Sequence, residues 1–225
     1  MPIEIIPAII AKNFTGLKEK IKKVEPYVKW VHIDVMDGNF VPNFTWNKPE
    51  ELKYYDPGVF LEAHLMIREP EKYVEDWIEA GIKRIIFHIE ATSDPKRVIK
   101  ICRERKVEVG VAINPVTPLN AIEDLIKTGW ACPPFGKEPE GPYCPNMVLV
   151  MANTPGFGGQ EFKPETLERI KTLRGLYPHL TIGVDIGMNP KTAKQAVEAG
   201  ANVIVAGSYI LNSDDVEQAI EELKK

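Results

Sequence analysis

Eight short apolar segments recur along the chain, and their spacing limits what it can fold into more than any other feature. They are "IEIIPAII", "WVHID", "FLEAHLM", "RIIFHI", "VEVGVAI", "MVLVM", "LTIGVD" and "NVIVAG". Each reads as a strand. Between them lie amphipathic helical patterns with start signals: Thr15 before "GLKEKIKKV", Pro70 before "EKYVEDWIEAG", Ser93-Asp94-Pro95 before "KRVIKICRERK", Pro164 before "ETLERIKTLRG", Asn189-Pro190 before "KTAKQAVEAG", and Ser213 before "DDVEQAIEELKK". Parallel strands need long crossovers, usually helices, so this alternation predicts a parallel sheet covered by helices. Eight repeats predict a closed (β/α)8 barrel, one domain over residues 1–225. An open doubly wound sheet usually carries a Gly-rich turn after its first strand, and none follows "IEIIPAII". The Pro/Gly-rich stretch "GWACPPFGKEPEGPYCPN" predicts a loop insertion at about 129–146. It lies between a helix and a strand, which places it at the bottom of the barrel, away from chemistry.

Composition narrows the function classes. A net charge of -4 gives no electrostatic reason to expect nucleic acid or an anionic membrane. No apolar run reaches the roughly 18 residues of a membrane span. The start "MPIEIIPAII" lacks the basic segment of a signal peptide. Cys102, Cys132 and Cys144 form no C-x-x-C pair, so neither a disulfide framework nor a zinc ribbon is expected. A soluble cytoplasmic protein is expected, with Cys132 and Cys144 as free thiols.

Inside "WVHID", His32 and Asp34 are two residues apart and share a face, while Val31, Ile33 and Val35 face the other way. His64 and Asp185 also lie near strand ends. In a (β/α)8 barrel the C-terminal strand ends build the active site. Each residue alone is better explained as a hydrogen-bonded core group. Four converging there make a two-nitrogen, two-oxygen site for a divalent transition metal, zinc on ligand type. Glycines cluster after the last three strands in "TPGFGGQ", "VDIG" and "VAGS". Their backbone amides can cradle a phosphate, and many barrels place one after strands seven and eight.

"VHIDVMDGNFVPN", "HLMI", "FHIEA", "NPVTP", "PGFGGQEF" and "GANVIVAGS" resemble, in order, the motifs of the ribulose-phosphate 3-epimerase family, over nearly the whole chain. The resemblance implies a (β/α)8 barrel acting on a phosphorylated sugar, with a divalent metal (Zn2+, or Fe2+, Mn2+ or Co2+) held by His32, Asp34, His64 and Asp185. It implies that Asp34 and Asp185 are also the two acid/base residues. It places His64, Met36, Met66 and Met151 against the sugar. Gly156, Phe157, Gly158, Gly159, Gly187, Gly207 and Ser208 would hold the substrate and its phosphate. A homo-oligomer, dimer or hexamer, is implied as well. Ribulose 5-phosphate is the leading substrate, with allulose 6-phosphate or a non-catalytic phosphosugar-binding role as alternatives.

The chain departs from the family pattern in places. "PAIIAKNF" puts Ala8 where a serine normally touches substrate and adds Lys12. "VDIGM" puts Ile186 where a glycine normally follows the aspartate, and isoleucine disfavours φ > 0. His88 and Glu90 in "FHIEA" are read as structural. His179 falls at the opposite strand end from Asp185 and is expected to be exposed.

Overall fold

The computed structural model describes residues 2–127 and 143–225. The expected insertion falls mostly outside the described residues, as does Cys132. Eight parallel strands close in sequence order into a barrel: β1 (Glu4–Ile9), β2 (Trp30–Met36), β3 (Phe60–Met66), β4 (Arg84–His88), β5 (Glu108–Ile113), β6 (Met147–Met151), β7 (Thr181–Asp185) and β8 (Val203–Ala206). All eight predicted strands are present. Helices α1 (Phe14–Val24), α2 (Val74–Glu79), α3 (Pro95–Glu104), α4 (Glu123–Lys127), α5 (Glu165–Leu176), α6 (Pro190–Ala199), α7 (Ser208–Leu211) and α8 (Val216–Glu222) pack outside. A 3-10 turn, Pro49–Leu52, stands in place of a helix after β2.

Three helix starts differ from expectation. Pro70 opens a 3-10 turn, Pro70–Lys72, and α2 begins only at Val74. Asn13, not Thr15, caps α1, its side chain accepting from the Gly16 N–H. Asp215, not Ser213, caps α8 by accepting from the Gln218 N–H. At these two caps the side chain that reaches a free first-turn N–H decides. Asn189 caps α6 as expected, in a capping box with Thr192, and Gly200 closes it at φ 117°. Cys144 is disulfide-bonded, which overturns the expectation of a free thiol there.

Strand parity divides the core. Val31, Ile33 and Val35 pack outward with Leu17 and Ile21 of α1 in the layer between strands and helices. Ile6, Trp30, Ile86, Met147, Leu149 and Val203 fill the barrel interior. Met36, Val41 and Met66 form a small apolar group at the mouth. Among the described residues no helix is long and apolar enough to cross a membrane.

Candidate active site

The sheet register assembles the site. Asp34 on β2 lies beside His64 on β3, and Met36 beside Met66. Ala8 on β1 pairs with His32. Met151 on β6 pairs with Asp185 on β7. Inward parity then brings one donor atom from each of His32, Asp34, His64 and Asp185 within 4.8 Å of one another, all four buried. His64 Nδ1 lies 3.2 Å from Asp34 Oδ1 and 3.8 Å from Asp185 Oδ2. His32 Nε2 is 3.3 Å from Asp34 Oδ1, yet it is buried with no hydrogen bond.

Both imidazoles are held from behind. His32 Nδ1 is 2.6 Å from Glu62 Oε1, and Glu62 in turn accepts from Arg84. His64 Nε2 is 2.9 Å from His88 Nε2, and His88 Nδ1 is 3.2 Å from Glu90. Glu90 accepts from the Asn114 N–H and the Thr117 hydroxyl. His88 and Glu90, read from the sequence as structural, stand behind His64 and brace it. Thr45 fixes the strand end: its hydroxyl donates to the Asp34 carbonyl at 2.8 Å and accepts from the Met36 N–H at 2.8 Å.

The electrostatics separate the two aspartates. Burial opposes ionisation of Asp34, but the imidazoles of His32 and His64 outweigh it and hold the carboxyl below the usual range. Asp185 is pushed up to about 6, by burial first and then by the charge of Asp34. Burial also opposes charging of His32, but the nearby carboxylates of Asp34 and Glu62 prevail and raise it to about 10. His88, buried and facing His64, is lowered to about 4 despite Glu90.

A donor set of two imidazole nitrogens and two carboxylates suits a divalent transition metal. The buried Nε2 of His32, left without a hydrogen bond, fits that use. So does the second nitrogen of each ring, already engaged behind the site.

A cavity of about 450 Å³ opens above this cluster. Asp34 and Asp185 stand in its wall with Met36, Met66 and Met151, while His32 and His64 lie beneath, fully buried. Every glycine-segment residue predicted for the site also lines it: Gly156, Phe157, Gly158, Gly159, Gly187, Gly207 and Ser208. Gly187 has φ +73°, and a Cβ there would meet the Phe162 backbone nitrogen at 2.4 Å, so only glycine fits. Ala8 and Ile186 line the same cavity. Ile186 adopts φ 80° in spite of its branched side chain. Its N–H donates to Asp185 Oδ1 at 2.7 Å, and the side chain packs on the interior core, so the surrounding contacts override the local preference. Lys12 lies outside the cavity wall and donates to the Phe44 carbonyl at 2.8 Å, tying down the loop after β2. His179 is exposed, as expected.

Sequence reading missed Glu62, Thr45, Lys20 and Lys23. Glu62 was open to inference, since it shares strand parity with His64 two residues later. The lysines sit on a helix, and only tertiary packing puts them in the cavity wall.

A parallel barrel with two carboxylates and two histidines at its C-terminal mouth defines an enzyme of the (β/α)8 class. The chain belongs to the ribulose-phosphate 3-epimerase family and is an epimerase, an isomerase-class enzyme. The family's model matches residues 4–130 and 144–211. Ribulose-phosphate 3-epimerase of Synechocystis is 40% identical, over 97% of this chain and 91% of that one. The same enzyme of Candida glabrata is 36% identical, over 98% and 91%. Among solved structures, 3-hexulose-6-phosphate synthase of Salmonella typhimurium superposes with a TM-score of 0.71 at 16% identity, over 99% of this chain and 97% of that one, a likeness of fold.

Proposed function

We propose that the chain interconverts D-ribulose 5-phosphate and D-xylulose 5-phosphate, with His32, Asp34, His64 and Asp185 holding a divalent metal, zinc on ligand type. One observation carries this reading: two buried carboxylates, Asp34 from β2 and Asp185 from β7, share the wall of one cavity, and two braced imidazoles lie beneath them within ligand distance. Epimerisation beside a ketone removes a proton from one face of the carbon and returns one to the other. Each face needs its own base, and two carboxylates from separate strands supply them. One carboxylate takes the proton, leaving an enediolate, and the other delivers a proton to the opposite face. Met36, Met66 and Met151 exclude water without offering the enediolate a proton. The metal, when bound, supplies positive charge against the substrate oxygens.

Activity of the purified protein on ribulose 5-phosphate tests this, with chelation expected to abolish turnover and zinc, manganese, cobalt or iron(II) to restore it in differing degrees. Full activity in protein shown by elemental analysis to be metal-free refutes the metal role. A longer ketose phosphate such as allulose 6-phosphate is a second reading, favoured by Ala8 and Ile186 in the cavity wall. Decarboxylase or synthase chemistry is disfavoured, because it wants an Asp-x-Lys pair at a strand end and Met36 stands two residues after Asp34.

A further inference from the structure

Among the described residues lining the cavity, four carry formal charge: Asp34, Asp185, Lys20 and Lys23. The two carboxylates stand at the β2 and β7 strand ends, while both lysines come from α1. A phosphorylated ketose brings a second negative group into this space. The carboxylates repel it, so it belongs at the lysine end.

The two lysines are placed differently. Lys23 is exposed and spends two donors on the Leu211 and Ser213 carbonyls, at 2.8 and 3.0 Å, fastening the end of α7. Lys20 is half-buried and donates once, to the Ile10 carbonyl at 2.7 Å. An ammonium has three donors, so two remain. Ile10 sits just past β1 and lines the cavity together with both glycine segments. Its Cδ1 would lie 3.2 Å from a Cβ at Gly158, and a Cβ at Gly207 would lie 3.2 Å from the Ala8 carbonyl. The tether to Ile10 therefore keeps the Lys20 ammonium in the wall of the cavity that both glycine segments also line.

We propose that Lys20 is a specificity-determining residue that binds the phosphate end of the substrate and so points the reacting carbon at Asp34 and Asp185. This rests on the epimerase reading above. The competing role is a plain tether between α1 and β1.

The test compares Lys20→Met, Lys20→Arg and the wild type, all metal-loaded, in steady-state kinetics and in inhibition by inorganic phosphate. Lys20→Met is expected to raise KM for the ketose phosphate about tenfold, to weaken phosphate inhibition by a similar factor, and to change kcat less than KM. Lys20→Arg is expected to recover most of both. Lys12→Met removes a like charge outside the cavity and should leave KM alone. An unchanged KM and unchanged phosphate inhibition in Lys20→Met overturn the proposal, as does an equal rise in KM from Lys12→Met. If Lys20→Met does not fold, Lys20→Gln keeps a donor for Ile10 without the charge, and the same readouts decide. A wild type that turns over no ketose phosphate sinks the epimerase reading instead. Phosphate binding that is present in the wild type and lost in Lys20→Met, followed by calorimetry, would then still support the lysine assignment.

Discussion

Inside the barrel, the Glu62 carboxylate is shared between Arg84 and His32, and Arg84 is shared again with Glu108, its Nε donating at 2.8 Å. The guanidinium also lies 4.0 Å from the centre of the Trp30 ring. Nearer the mouth, Asp34 and Asp185 share one buried space, and His32 Nε2 has no hydrogen bond. Both groups are buried and both are rich in charge. The lower one is closed, each charge answered by an opposite one. The upper one holds like charges together and leaves donor capacity unspent, an arrangement suited to a bound ligand. His32 belongs to both, with one nitrogen in each.

The largest effects should come from the open cluster. Asp34→Asn and Asp185→Asn are each expected to lower kcat by about 10²–10⁴-fold while leaving the thermal midpoint close to wild type. In heavy water the wild type should place deuterium on the reacting carbon. Unlabelled product and unlabelled recovered substrate would rule out exchange through two carboxylates.

Breaking the closed cluster should cost stability rather than chemistry. Arg84→Met strands the buried carboxylate of Glu62, and removal of one partner from such a pair costs about 3–5 kcal/mol. Denaturant unfolding measures it. Adding Glu62→Gln to Arg84→Met should recover part of the loss, because the stranded charge is gone. A double variant no more stable than Arg84→Met would mean that the network is not a charge-pairing unit.

Glu62→Gln alone probes the shared residue. The amide keeps the shape but binds His32 Nδ1 more weakly than the carboxylate does. Metal affinity, followed by competition with a chelator, should fall about 10–100-fold. An unchanged affinity would show that the two clusters are independent despite sharing His32.

A smaller effect is expected at Glu4, at the start of β1. Burial raises it from 4.5 to about 7, helped by the charges of Glu62 and Glu108 and opposed by Arg84. The folded state therefore holds a proton that the unfolded chain releases at lower pH. This contribution to stability is complete below about pH 4.5 and is lost as pH rises to about 7. Glu4→Gln should match wild type in acid and exceed it above neutrality. Parallel melting curves for the two proteins across that range would sink the assignment.

Much of this was legible in the sequence, for physical reasons. Period-two alternation in "WVHID" and "FLEAHLM" put His32, Asp34 and His64 on one face, and barrel closure did the rest. The glycine segments were legible because backbone that must approach a ligand or a neighbour excludes Cβ, as at Gly187. Lys20 was not legible, since a lysine on an amphipathic helix reads as solvated. The disulfide state of Cys144 was not legible either, since spacing does not report which thiols meet. The backbone at Ile186 went against its residue type, because local preference lost to tertiary contacts.

Ile186 is also where the smallest effect is expected, and where substrate choice can be sharpened. Its φ of 80° costs an isoleucine about 1–3 kcal/mol, and glycine would release that strain. The same change removes a half-buried side chain packed on both core layers, a loss of similar size. The two nearly cancel, so Ile186→Gly should shift stability by no more than about 1–2 kcal/mol. The cavity feels it differently. Ile186 and Ala8 both line the space above Asp185, and Ala8 sits against Gly207 in the neighbouring strand end. Ala8→Ser adds a hydroxyl there, and Ile186→Gly opens room beside it. Together they are expected to raise kcat/KM for ribulose 5-phosphate several-fold, at about 1 kcal/mol per gained contact, and to lower it for a longer ketose phosphate. If the double variant gains nothing on ribulose 5-phosphate and the wild type already turns it over efficiently, the two departures do not set substrate choice. The reshaped wall would then be neutral, and the pentose phosphate reading would stand without a rival.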